Sequence, residues 1–135
     1  MADKFDGKWQ LHASENFEAL MAKTGCPDES IRTAMKAVKD TTLEIFHEGD
    51  KWTFLNHTVF GARPAVFQIG VPTPTTTLDK RPLTATLTLE GDTLIRHATG
   101  DGFSVKHIRN VVNDEMILIL ICEDVVAYRR YHRVD

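Results

Sequence analysis

From about Lys39 onward, the sequence is a succession of short segments in which apolar and polar residues alternate. Leu83, Ala85, Leu87 and Leu89, for example, alternate with three threonines and a glutamate. Turn-forming Gly, Asn and Asp residues separate these segments at intervals of about ten residues. A period of two is that of a strand with one buried face, and regular turns indicate consecutive hairpins. The pattern therefore predicts an antiparallel meander, folded as a sandwich or a barrel.

The first forty residues add one strand and two helices. Residues 5–14 alternate, and the residues that share the more apolar face are Phe5, Gly7, Trp9, Leu11 and Ala13. Residues 17–24 and 27–38 then show the spacing of two short amphipathic helices. Because sequential hairpins favour an up-and-down barrel, in which closure removes exposed edges, we predict a mostly β fold with these helices over one mouth. Such a barrel can hold one small ligand.

Length and charge restrict the class of protein. The 135 residues, 42% of them hydrophobic, suit a single domain that spans residues 1–135. A net charge of -3 lacks the basic excess of a nucleic-acid-binding protein. We recognise no secretory signal and no apolar run near the roughly 20 residues that cross a bilayer. The expectation is a cytoplasmic monomer with reduced cysteines and no nucleic-acid partner.

Two arginines lie in otherwise apolar alternations near the C-terminus. Arg109 falls in phase with Val105, and Arg129 falls in phase with Ala127 and Tyr131. If these faces turn inward, both guanidinium groups are buried, and a buried charge without a partner is costly. The planar guanidinium can bond both oxygens of a carboxylate, and Tyr131 adds a hydroxyl donor. The alternation leaves open the alternative that both arginines face outward from strands that are apolar on both sides.

Several segments carry a family resemblance. They are the opening Phe5–Leu11, the turn Glu48–Asp50, and the closing Asp124–Tyr131 with its Arg-x-Tyr motif, together with Arg109 in register with Arg129. From Phe5 to Val134 the sequence resembles the intracellular lipid-binding proteins, the family of fatty-acid-binding and cellular retinoic-acid-binding proteins.

The resemblance implies a ten-stranded antiparallel up-and-down β-barrel (a β-clam) with a two-helix lid between the first and second strands. It implies intracellular binding and transport of a fatty acid or another carboxylate lipid, with a retinoid such as retinoic acid as the alternative. It also implies transient membrane contact through the lid, and no cofactor. The ligand-binding residues that it implies are Arg109, Arg129 and Tyr131 at the carboxylate, Phe17 and Met21 on the helices, Phe60 at the portal, and the polar pair Asp79 and Arg81.

The sequence also departs from the family around the portal. Thr41 stands where the family usually has proline, and Gly61–Pro64 and Val71–Pro74 replace its polar and acidic segments. Pro64 has no N–H for a ladder, which suits an edge or gap. These changes leave the ligand preference and the exchange route open.

Other functions find less support in the residues. The six histidines show no paired spacing with cysteine or carboxylate, so we expect no metal site. No Ser-His-Asp, Cys-His or paired-carboxylate constellation indicates an enzyme. A membrane- or partner-binding role with an incidental ligand remains a more remote alternative.

Overall fold

The computed structural model describes residues 2–36, 40–58, 61–77 and 80–134. A short 3-10 helix (Ala2–Phe5) leads into the first strand, and two helices, α1 (Phe17–Lys23) and α2 (Asp28–Lys36), follow that strand. The strands are β1 (Gly7–Glu15), β2 (Thr42–Glu48), β3 (Lys51–Thr58), β4 (Gly61–Gln68), β5 (Thr73–Thr76), β6 (Pro82–Glu90), β7 (Thr93–Gly100), β8 (Phe103–Val112), β9 (Glu115–Cys122) and β10 (Val125–Arg133).

The ten strands form one antiparallel sheet that curls into a nearly closed barrel. Their order is β4-β3-β2-β1-β10-β9-β8-β7-β6-β5, so each strand pairs with its sequence neighbour and β1 closes onto β10. This confirms the predicted barrel and the position of its two-helix lid. The ends of the order, β4 and β5, form a seam without ladder pairing between their described residues. Arg63 bridges this seam, because its Nη2 donates to the carbonyl of Thr76 at 2.9 Å and also contacts the Thr76 hydroxyl.

The hairpin between β8 and β9 shows how local sequence sets the register of the barrel. Asn113 and Asp114 both have positive φ, 52° and 61°, as the two central residues of a type I′ turn require. Asn and Asp tolerate this conformation better than most residues. The turn pairs Val112 with Glu115, and the ladder then places Arg109 opposite Leu118. A turn at the surface thus decides which β8 side chains face the interior.

A β-bulge in β1 corrects one prediction. The ladder with β10 shifts between Leu11 and Ala13, so that Ala13 pairs with the exposed Arg130 and Ser14 pairs with the buried Arg129. The expected inward position of Ala13 is therefore wrong, because an extra residue reverses the alternation. Ser14 faces the interior instead, and its buried Oγ has no hydrogen-bond partner among the described residues.

Large aromatic side chains fill the barrel beside the N-terminal 3-10 helix. Phe5, Trp9 and Trp52 are fully buried, and the Trp9 indole donates to the Phe5 carbonyl at 2.9 Å. Phe17 and Met21 of α1 are also buried, against the barrel interior. Among the described residues, no helix is long and apolar enough to cross a membrane. The barrel is thus packed beside the 3-10 helix, and the space that it leaves lies under the lid.

Candidate functional site

A cavity of about 510 Å³ lies inside the barrel. This volume falls in the range of small-molecule sites, about 300–1000 Å³. Apolar side chains from α1, β4 and β6–β9 form part of the wall. The described lining residues include no aspartate or glutamate, and the arginines among them are Arg63, Arg81, Arg96, Arg109 and Arg129. The cavity therefore combines apolar walls with an excess of positive charge.

Arg109 and Arg129 both face this cavity. They lie on either side of Leu118 in the sheet and are only 5% and 6% exposed. Arg109 Nη1 and Arg129 Nε are buried and have no hydrogen-bond partner among the described residues. Burial lowers the pKa of both guanidinium groups, and the neighbouring Tyr131 hydroxyl partly opposes this effect. Two buried cations with unused donors form an arrangement that can receive an anion.

Phe17 and Met21 line the same cavity from the lid side. The guanidinium carbon of Arg129 lies 3.9 Å from the centroid of the Phe17 ring. A cation over an aromatic face at this distance is attracted by the ring quadrupole. The first turn of the lid therefore rests directly on one of the two buried arginines.

Arg81 also lines the cavity, but its hydrogen bonds run to the lid. Its Nη1 donates to the Thr24 carbonyl at 2.6 Å, and its Nη2 lies 3.3 Å from the Thr24 hydroxyl. Thr24 is the C-cap of α1, where backbone carbonyls lack helical partners. The same guanidinium lies 5.1 Å from the Phe103 ring centroid. Arg81 thus ties the end of α1 to the barrel. Its predicted polar partner Asp79 and the portal residue Phe60 lie outside the described residues.

The sequence reasoning missed Arg96, which also lines the cavity. Arg96 pairs directly with His107 across β7 and β8, and its Nη2 lies 3.2 Å from His107 Nδ1. Desolvation, followed by the charge of Arg96, holds the pKa of His107 well below its usual range. Leu94 and Ala98 are in phase with Arg96, which is the signal that identified Arg109. Because Ile95 on the other face is also apolar, this segment does not alternate cleanly, and the inward position of Arg96 was not recognised.

His47 lies close to two carboxylates, away from the cavity. His47 Nδ1 lies 2.7 Å from Asp6 Oδ1, and its Nε2 lies 3.5 Å from Asp3 Oδ1. One potential metal-ligating atom from each of Asp3, Asp6 and His47 lies within 4.8 Å of the other two, although the sequence spacing indicated no such group. The imidazole also stacks on Trp52 with ring centroids 4.3 Å apart. These contacts fasten the N-terminal 3-10 helix to β2 and β3.

Comparison with known proteins agrees with this architecture. The family model "Lipocalin / cytosolic fatty-acid binding protein family" matches residues 6–134. Sodium/calcium exchanger regulatory protein 1 of Doryteuthis pealeii is 34% identical over 135 residues and covers 100% of both chains. Cellular retinoic acid-binding protein 1 of Homo sapiens is 31% identical over 134 residues, with 96% of this chain and 97% of its own covered.

A solved structure described as the REP1-NXSQ fatty acid transporter superposes with a TM-score of 0.93. It is 34% identical, and the match covers 99% of this chain and 98% of that one. The family match extends over nearly the whole sequence, and the barrel, the lid and the internal cavity accompany it. The chain therefore belongs to the lipocalin and cytosolic fatty-acid binding protein family.

Proposed function

We propose that this protein is an intracellular carrier for a long-chain carboxylate lipid, most simply a fatty acid. The carboxylate would accept hydrogen bonds from Arg109, Arg129 and Tyr131, and the chain would lie along the apolar wall. Phe17 and Met21 would contact the chain beneath the lid. The proposed set is completed by Phe60 at the portal and by Asp79 and Arg81 as a polar pair.

The observation that carries the proposal is the pair of unused donors on Arg109 and Arg129 in a cavity without an acidic residue among its described lining. Leaving such donors unsatisfied costs free energy, and a bound carboxylate would remove that cost. Charge-assisted bonds to a carboxylate contribute on the order of 1.5–3 kcal/mol. The apolar wall would add about 0.8 kcal/mol for each buried methylene until the cavity is full.

A titration series tests this assignment. Delipidated protein is titrated with palmitic acid, palmityl alcohol and methyl palmitate at one pH and salt concentration. The acid should bind at least about tenfold more tightly than the alcohol or the ester, because only the acid carries the anion. Equal affinity for acid and alcohol would refute the arginine anchor, even in this barrel.

Retinoic acid is the alternative carboxylate, supported by the similarity to cellular retinoic acid-binding protein 1. Retinoic acid and retinol extend the same series, since they differ in the head group and share the rigid chain. Tighter binding of palmitic acid than of retinoic acid supports a fatty-acid carrier, and tighter binding of retinoic acid supports a retinoid carrier. Mass spectrometry of lipid extracted from the native protein identifies the ligand that the cell supplies.

A carrier returns its ligand unchanged, which separates this proposal from an enzyme acting on lipids. The family match and the similarity to a protein described as a fatty acid transporter support a carrier. Incubation of the pure protein with radiolabelled palmitate should leave the label in palmitate. A labelled product that accumulates with time, at a rate proportional to the protein concentration, would show instead that the protein is a lipid-modifying enzyme.

A second candidate is a lipid-dependent regulator of a membrane protein. It is favoured by the similarity to the exchanger regulatory protein from Doryteuthis pealeii, which covers both chains completely. Transient membrane contact through the lid would bring the protein to such a partner. Co-sedimentation of the apo and palmitate-loaded protein with phosphatidylcholine and phosphatidylserine vesicles tests that contact. Absence of binding to either vesicle in both states would remove this candidate.

A further inference from the structure

Arg96 adds a further positive charge to the cavity wall, beside the two arginines of the proposed carboxylate site. Its guanidinium carbon lies 5.7 Å from the Phe54 ring centroid and 5.4 Å from that of Phe67. Its hydrogen-bonding neighbour is His107, and no carboxylate of the described residues pairs with it. Arg96 therefore reaches across the barrel to the aromatic wall of β3 and β4 without meeting a negative charge.

Arg96 and Arg109 are neighbouring like charges on the cavity wall. Arg109 lies 5.4 Å from the centroid of the same Phe54 ring that Arg96 contacts. On the sheet the two are diagonal neighbours, because Arg96 pairs with His107 and Arg109 pairs with Leu94. Burial and then the charge of Arg109 lower the pKa of Arg96 to about 9, so the pair carries two charges at neutral pH. Such a pair is costly without counter-charge.

One carboxylate supplies a single negative charge, which leaves much of this positive charge uncompensated. The other two arginines of the wall are engaged elsewhere, Arg63 with Thr76 at the seam and Arg81 with Thr24 on the lid. The protein itself offers no carboxylate among the described residues of the wall. A ligand that carries more than one negative charge would supply further compensation at Arg96 and Arg109.

We propose that Arg96, with Arg109 and His107, extends the head-group site so that it accepts a compact dianion, the phosphate monoester of a long-chain lipid. This rests on the proposed function, since it uses the same cavity and shares Arg109. A phosphate monoester carries about -1.5 to -2 charges at pH 7 and presents three acceptor oxygens. Arginine bonds phosphate through paired N–H groups, and the neutral His107 ring can add one donor. The lipid chain would follow the same apolar wall as a fatty-acid chain.

Three ligands with one chain length test this inference by isothermal titration of the delipidated protein. Dodecanoic acid is the carboxylate, dodecyl sulfate at micromolar concentration is a tetrahedral monoanion, and monododecyl phosphate is the tetrahedral dianion. At pH 7.5 the phosphate should bind roughly tenfold or more tightly than the sulfate. At pH 5 this preference should shrink, because the second pKa of the phosphate is about 6. Dodecyl sulfate keeps the same charge at both pH values, so any change in its affinity reports protonation of the protein itself.

Variants of Arg96 then test whether this residue binds the second negative charge of the phosphate. Arg96→Gln should abolish the preference for phosphate over sulfate and change dodecanoate affinity by less than about threefold, since the carboxylate donors remain. Arg96→Lys keeps the charge and should restore part of the preference. Arg130→Gln, which removes an exposed arginine paired with Glu115 at 3.5 Å, is the matched control and should leave all three affinities unchanged.

The outcomes separate this inference from the function on which it rests. Equal affinity of the parent protein for phosphate and sulfate at pH 7.5 overturns the inference, as does a preference that survives in Arg96→Gln. Dodecanoate binding in those cases leaves the carboxylate carrier standing. Failure of dodecanoate and palmitate to bind the parent protein would instead overturn the proposed function. If Arg96→Gln does not fold, the phosphate-to-sulfate ratio of the parent at the two pH values still decides.

Discussion

Replacement of Arg129 by methionine should weaken palmitate binding strongly and leave the stability of the empty protein close to, or above, that of the parent. Methionine keeps the length and much of the volume of the side chain and removes the charge and the donors. Arg130 is the next residue on β10, is exposed, and pairs with Glu115. Arg130→Met is therefore a matched control that makes the same chemical change on the outer face.

The magnitudes follow from the contacts of Arg129. Loss of charge-assisted bonds to the carboxylate should cost roughly 1.5–3 kcal/mol, a ten- to hundredfold loss of affinity for palmitate. In the empty protein, removal of the unpartnered Nε should contribute about 1–3 kcal/mol of stability. Loss of the contact with Phe17 at 3.9 Å should cost about 0.5–2 kcal/mol. The unfolding free energy of Arg129→Met should thus lie between about 1 kcal/mol below and about 2.5 kcal/mol above that of the parent.

Urea unfolding of the delipidated proteins and fluorescent-lipid displacement by palmitate measure the two quantities separately. Arg130→Met should change both by less than about 1 kcal/mol. A loss of stability of more than about 3 kcal/mol in Arg129→Met, with palmitate affinity preserved, would refute the reasoning. Arg129 would then be a structural residue of the barrel and not a ligand anchor.

Three further predictions concern acid stability, ligand exchange and the core. Because the His107 pKa is lowered in the folded state, only the unfolded chain binds a proton at this histidine just below about pH 6.5. The unfolding free energy should therefore fall by up to about 1.4 kcal/mol for each pH unit as the pH decreases below that value. His107→Gln should flatten the pH dependence of urea midpoints between pH 7 and 5, and the exposed His97→Gln should not; identical slopes would exclude His107. Arg81→Met, which removes the bonds to the end of α1, should raise the off-rate of a fluorescent fatty acid in stopped-flow experiments at least twofold; unchanged rates would show that this tie does not limit exchange. Met116→Ala, at a fully buried position, should lower the unfolding free energy by about 2–5 kcal/mol in urea denaturation, whereas Val112→Ala, 60% exposed, should change it by less than about 0.5 kcal/mol; similar effects of the two would contradict the burial pattern.

The barrel was predictable because the alternation of apolar residues and the turn residues agree along most of the chain. The inward position of Arg109 follows from two local features, its phase with Val105 and the Asn113-Asp114 turn that sets the β8–β9 register. Arg129 follows in the same way from its phase with Ala127. Each signal lies within a few residues of the side chain that it positions, so the sequence shows which apolar residues share a face with each arginine. The alternation alone left open whether that face turns inward, and the closed barrel decides it.

The features that escaped prediction depend on contacts between distant parts of the chain. The bulge that turns Ser14 inward appears only when β1 pairs with β10, more than a hundred residues away. The group formed by Asp3, Asp6 and His47 requires the 3-10 helix to fold against β2. Family resemblance assigned Arg81 to a polar pair with Asp79, and its bonds to Thr24 need the packed lid. No pattern within a short window contains this information.

The seam between β4 and β5 has a consequence for association between molecules. A free sheet edge presents unpaired N–H and C=O groups on which a strand of another molecule can grow, the usual route to edge-to-edge aggregation. Here Pro64 lies on one edge strand and Pro74 on the other, and neither supplies an N–H. Arg63 meanwhile occupies the Thr76 carbonyl at 2.9 Å. The barrel can therefore leave a gap without ladder hydrogen bonds between β4 and β5 and still offer a neighbouring molecule a poor template for a shared sheet.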